Sequence, residues 1–199
     1  MSNTTAPDTV AAALAAHLVR NGLPPDGGAS ESFAVVWLGR LPYPIPNTSA
    51  RKRAVKLHDL NHLVSGYGTD LAGESEISAW ELASGGCQRY LAAWALDLIG
   101  LPMGLIVLTR RTVRAFRAGH VAHNLYEYPY AELLDLPMRD VMDRVRRAAP
   151  GRSARLPVPV LLAGYALAAL PASLLFGLAW ILVTPLWWAD KLKDRAGTT

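Results

Sequence analysis

The chain has 199 residues, 20 Lys+Arg against 16 Asp+Glu for a formal charge of +4, and 51% hydrophobic residues. That length suits one domain with a sizeable core, the apolar content excludes a disordered chain, and a single cysteine, Cys87, excludes a disulfide scaffold. A lone thiol fits a reducing compartment, with Cys87 as a small buried hydrophobe.

In chain order, Asp8 can cap a helix through Val10, Leu14, His17 and Leu18 that stops at Gly22. His17 reads as a helix-surface residue. Residues 23–30 are loop. Phe33–Leu38 is a short apolar run compatible with helix or strand, and Leu41–Pro46 (LPYPIP) an extended connector stiffened by proline. Helical texture runs from Ser49 to about Ser65, breaks at Gly66-Tyr67-Gly68-Thr69-Asp70, and resumes over 71–84 with Thr69 or Asp70 as cap. Gln88–Thr109 is an apolar helix, kinked or split near Gly100-Leu101-Pro102; its internal Asp97 argues for burial within the domain rather than a membrane span. Thr112–Gly119 continues helically, a loop carries His120 and His123, and Pro137 opens a helix to about Ala149. Without a convincing run of alternating strands, the fold class is all-α. The divisions are 1–41, an N-terminal helix and linker; 42–150, a helical domain; and 156–189, an apolar C-terminal segment.

From Leu156 to Ala189 no residue carries a formal charge. Val160–Val183 alone makes a helix of roughly 36 Å, enough to cross a bilayer core. Pro171 near its middle leaves three readings: one kinked transmembrane span, a re-entrant hairpin of two short arms, or a buried pair of core helices. Arg144, Arg146, Arg147, Arg152 and Arg155 precede the segment, which places the N-terminal body on the cytoplasmic side. Trp180, Trp187 and Trp188 crowd its far end as an interfacial anchor would. The N-terminus has neither the basic nor the apolar region of a cleaved signal peptide. Two basic clusters, Arg51/Lys52/Arg53/Lys56 and Arg110/Arg111/Arg114/Arg117, accompany no nucleic-acid-binding motif, so nucleic acid is not an expected partner. They suit either anionic lipid headgroups or a solvated helix face.

The chemistry concentrates in His58-Asp59-Leu60-Asn61-His62. Imidazoles four residues apart share one helix face and can reach one ion. Twelve residues on, past a glycine-rich turn, Glu74 opens the next helix, and a helical hairpin returns it towards the first. The metal-site candidates are therefore His58, His62 and Glu74, with Asp59 as fourth ligand or base; Asp59 and Glu74 are the catalytic candidates. Imidazole plus carboxylate suits a divalent ion, zinc foremost, with iron or manganese also accommodated. The segment fits neither HExxH proteases, which need Glu where Asp59 stands, nor HD phosphohydrolases, which need further ligands. Tyr67, Trp80, Tyr90 and Tyr126 are candidates to line a head-group pocket, although aromatic residues at such spacing also suit a core.

The sequence His58-Asp59-x-x-His62, eleven residues, then Glu74, with Gly66 and Gly73 inside, resembles the HDxxHx11E motif of the Coq4 family of ubiquinone biosynthesis. The likeness continues through Trp80-Glu81, Gly100-Leu101-Pro102, Ala115–Gly119 and Asn124-Leu125-Tyr126, over about residues 42–148. It implies an all-α, membrane-associated domain that holds a divalent metal, usually taken as zinc, through His58, Asp59, His62 and Glu74. It also implies oxidative decarboxylation at C1 of a polyprenylated hydroxybenzoate, or a scaffold that organises other quinone-biosynthesis enzymes. Expected partners are membrane lipid and the prenylated quinone precursor; assembly into a homo-oligomer stays open. The C-terminal apolar segment lies outside the family core.

Overall fold

Eight helices and one hairpin carry the chain in a computed structural model that describes residues 9–38, 40–147 and 156–196. The order is α1 (Val10–Arg20), β1 (Phe33–Leu38), β2 (Leu41–Pro46), α2 (Ser49–Ser65), α3 (Leu71–Ala83), α4 (Leu91–Val107), α5 (Thr109–His120), α6 (Tyr130–Leu134), α7 (Met138–Arg147) and α8 (Val158–Ala196). The all-α reading holds, with the antiparallel β1–β2 pair the one sheet among the described residues. Asp8 and 148–155, including Arg152 and Arg155, lie outside the described residues. Thr9 caps α1, its hydroxyl accepting from the Ala12 N–H at 3.3 Å.

β2 corrects the connector reading. Its prolines, Pro42, Pro44 and Pro46, occupy every second position, so the N–H groups of Leu41, Tyr43 and Ile45 remain to face β1. The proline side of the strand turns to α8, where the Pro42 carbonyl accepts from the Trp180 indole N–H at 3.1 Å. Proline marks this strand as an edge without abolishing it.

α2 and α3 form the hairpin that the sequence anticipates. The Thr48 hydroxyl caps α2 by accepting from the Arg51 N–H, and Gly66 at φ 78° ends it. Asp70 caps α3 by accepting from the Gly73 N–H at 2.8 Å. Gly73 lies directly on the Gly68 backbone, where a Cβ would have no room. The turn is therefore short enough to return Glu74 to the face of α2.

α3 then packs on α4 and α5 through small residues. Gly100 of α4 rests on Ser78, Gly104 sits between Ser75 and Thr112, and Gly119 of α5 lies against the Trp80 backbone. α4 runs through Pro102 as helix; the break comes six residues later, at Leu108. This close seating holds α4 along α3, and packing overrides the local preference of proline. One core cluster joins Val10, Leu14 and Leu18 of α1 to Leu57, Leu60, Val64, Ile77, Leu125, Leu133 and Val141; a second joins Ala79, Leu82, Leu101 and Phe116. Each such leucine or phenylalanine removed from water contributes about 1.5–3 kcal/mol.

α8 is one continuous helix through Pro171 and Pro185 rather than a re-entrant hairpin, and Val158–Lys193 is long and apolar enough to cross a membrane. Val158, Leu161, Leu162 and Tyr165 pack on the second core cluster. Tyr43 stacks on Phe176 at 4.3 Å and its hydroxyl donates to the Phe176 carbonyl at 2.7 Å.

Candidate metal centre

The i, i+4 spacing on α2 and the tight return into α3 bring His58, His62 and Glu74 together, one ligand atom of each within 4.8 Å of the others. Nε2 of His58 and Nε2 of His62 are 3.0 Å apart. Each lies 3.4 Å from a different oxygen of Glu74. The Glu74 side chain is 43% exposed against 1% for His62, so the group opens to solvent on the Glu74 side.

The orientation of each ring is fixed from behind. His62 Nδ1 lies 3.2 Å from the Tyr67 carbonyl, which can only accept, so Nδ1 carries a proton and, in the neutral ring, Nε2 the lone pair. His58 Nδ1 lies 3.0 Å from Oε2 of Glu81, which sets the same tautomer in the neutral ring. Two imidazole lone pairs at 3.0 Å repel unless a cation, proton or metal, sits between them. Nitrogens bound to one zinc at 2.0–2.1 Å are separated by about 3–3.4 Å, so the donor set and its spacing fit a divalent ion. An acceptor behind a ligating histidine is the usual support of such a site.

Glu81 belongs to a second group of suitable donors, His58, Glu81 and Asp97. Its Oε1 accepts from the Asn61 amide at 2.7 Å, and its Oε2 accepts from the Tyr126 hydroxyl at 3.1 Å. Asn61 in turn accepts from the Leu125 N–H, and the Asn124 amide donates to the Glu81 carbonyl. Burial pushes the Glu81 carboxyl up, but the His58 charge and the hydrogen bonds from His58 and Asn61 outweigh it, and Glu81 stays ionised. Asp97 goes the other way: burial and then the neighbouring Glu81 charge hold it well above the usual carboxylate range. The Cys87 thiol, which burial also pushes up, donates to Asp97 Oδ2 at 2.9 Å.

On His58, burial favours the neutral ring, yet Glu81 and Glu74 outweigh it and raise its pKa well above 6.5. Glu74 is pushed up by burial and, more strongly, down by hydrogen bonds from His58 and His62. Both acids therefore favour the protonated form of His58.

The other expected site residues fall differently. Asp59 is a member of neither donor group; its carboxylate lies against Gly27, where a Cβ would stand 3.3 Å from Oδ2. It remains within electrostatic reach of both imidazoles, and burial raises its pKa. Tyr67 offers its backbone carbonyl to His62. Trp80 is core, Tyr126 is buried with its hydroxyl on Glu81, and Tyr90 packs 5.4 Å from Tyr126. His17, expected on the helix surface, is buried with its ring stacked 6.4 Å from His62.

Glu81, Asn61 and Asp97 are the participants that sequence reasoning did not assign. Glu81 stands seven residues after Glu74, on the same face of α3. Asp97 is the one acid in an apolar helix, and a buried acid requires partners. Compared with models of known families, with curated proteins and with solved structures, the chain matches none.

Proposed function

We propose that this chain is a membrane-associated, metal-dependent protein similar to the Coq4 family, acting in ubiquinone or related prenylquinone biosynthesis to remove the C1 carboxylate of a polyprenylated hydroxybenzoate. What supports the reading is the facing pair of His58 and His62 Nε2 atoms beside a half-buried Glu74. His58, His62 and Glu74 would hold the ion; the donors suit zinc and accommodate iron or manganese. Bound there, the ion supplies Lewis-acid stabilisation of charge on a carboxylate or ring oxygen. Glu81 and the Tyr67 carbonyl keep both Nε2 atoms aimed at one point. Asp59 lies outside the donor group, with its carboxylate against Gly27, and would act on the site only through its charge. The oxidative step needs an electron acceptor from outside the chain. The apolar surfaces of α4 and α8 would receive the prenyl chain, about 0.8 kcal/mol for each CH2 buried. The basic residues Arg144 and Arg146 before α8 suit a body held against the anionic cytoplasmic leaflet.

A second reading, a non-catalytic scaffold for prenylated intermediates and their enzymes, draws on the depth at which Glu81 ties the site to α2, α3 and the 124–126 segment, as a structural ion would require. Metal analysis of the purified chain and of His62→Ala, with quinone intermediates profiled in cells carrying each, separates the two. Enzyme action predicts about one metal per wild-type chain, loss of it in the variant, and accumulation of the prenylated acid. Normal quinone with a metal-free variant favours the scaffold, and a wild-type chain that binds no divalent metal overturns the metal site.

A further inference from the structure

The residues of α8 that are buried or touch the body fall on one side too regularly for a helix that stands alone in lipid. Val158, Leu161, Leu162 and Tyr165 pack on the second core cluster, Ala169 is fully buried, Phe176 and Trp180 meet the hairpin, and Trp187 is buried. At 100° per residue these positions fall within an arc of about 100°, and they extend over about 44 Å of helix axis. Leu167, Leu170, Leu174, Leu178, Ile181 and Trp188 occupy the opposite side, all exposed.

We infer that α8 lies in the plane of one leaflet, with the protein body along one side and acyl chains along the other, so that the chain is monotopic rather than spanning. The inference rests on the membrane association proposed above and adds its geometry. A helix crossing the bilayer from Val158 would carry its contacts with Phe176 and Trp180 about 27–33 Å inward. The hairpin and α4 would have to follow it into hydrocarbon. β1 would then present its outer edge, the N–H and carbonyl groups of Phe33, Val35 and Trp37, to lipid, which offers them no hydrogen-bond partner. The exposed Arg40 at the hairpin tip and the buried Asp97 of α4 would enter with them. Lying flat removes all of these costs. It also explains why α8 is apolar all round: in an ordinary interfacial helix one face is polar because it meets water, whereas here that face meets protein. The partner surface is therefore the acyl region just beneath the headgroups of a single leaflet.

Spin labels on Val160→Cys, Leu174→Cys and Trp188→Cys test the orientation in the full chain bound to vesicles of phosphatidylcholine and phosphatidylglycerol. The unsubstituted chain, whose Cys87 is fully buried, serves as blank. Nitroxide depth is read from accessibility to oxygen against a water-soluble nickel complex. All three labels are expected at one shallow depth, about 5–10 Å below the headgroups. Their Cα positions are about 21 Å apart along the axis in each step, so a span would place residue 174 near the bilayer centre and the other two near opposite surfaces. That gradient overturns the inference while leaving membrane association intact. Failure of the chain to float with the vesicles overturns both.

Discussion

Glu81 Oε2 sits 3.0 Å behind Nδ1 of His58, and the same carboxylate is gripped by Asn61 and Tyr126. This acid, deeper than any proposed ligand, decides which nitrogen of His58 faces the centre. Glu81→Gln keeps the shape and the contact with Asn61 but loses the charge. Metal affinity is expected to fall about 10–100-fold, measured by competition with a chromophoric chelator, while the helical circular dichroism is retained. Unchanged affinity would mean that Glu81 plays no part in orienting His58.

A proton on His58 and a divalent ion would compete for the space between the two rings. His58 has a folded pKa above 6.5, so its contribution to stability is full below 6.5 and is lost as pH rises through the folded value. Glu74 and Glu81 are depressed, so theirs are full above 4.5 and lost as pH falls through their folded values. Metal-free protein should therefore be most stable between these limits and weaken on both sides, as chemical denaturation at a series of pH values would show. Metal uptake must displace the His58 proton. Apparent affinity should climb with pH, by up to about tenfold per unit, until that proton is gone. Calorimetry in two buffers of different ionisation enthalpy should show close to one proton released at neutral pH; no release would contradict the raised His58 pKa.

The grouping of His58, His62 and Glu74 was legible because two local rules coincide: an i, i+4 pair points one way, and the Gly66–Asp70 turn brings Glu74 back. The support behind it was not. Asp97 in an apolar helix announces burial but names no partner, and Cys87 looks like any small hydrophobe until its thiol is found on that acid. Proline was harder to read. At Pro102 and Pro171 it left a kink or a break open, and both helices run on through it; in LPYPIP it hid a strand whose pairing groups belong to the residues between.

Gly119 lies against the Trp80 backbone, a neighbour that cannot rotate away. Gly119→Ala should destabilise the body by about 1–3 kcal/mol, read as a lower midpoint of thermal unfolding in detergent. Gly164 has nothing within 4 Å of an added Cβ, so Gly164→Ala should leave stability within about 0.5 kcal/mol or raise it slightly. Equal effects at the two positions would refute the proposed α3–α5 contact.

Tyr43 ties the hairpin to α8 by stacking and by one hydrogen bond to the Phe176 carbonyl. Tyr43→Phe keeps the stack and should cost about 1 kcal/mol. Tyr43→Ala removes both and should detach the hairpin locally, with faster amide exchange at Tyr43 and Ile45 than in α2 or α3. Exchange unchanged in the alanine variant would show that the hairpin does not depend on this anchor.

The alternating prolines of β2 also bear on self-association. A strand that presents no amide hydrogens on its outer side cannot template fibril growth there, because an incoming chain finds acceptors but no donors. Released from its helix during synthesis or under stress, that flank stays inert, and the hazard of misassembly shifts to the opposite strand.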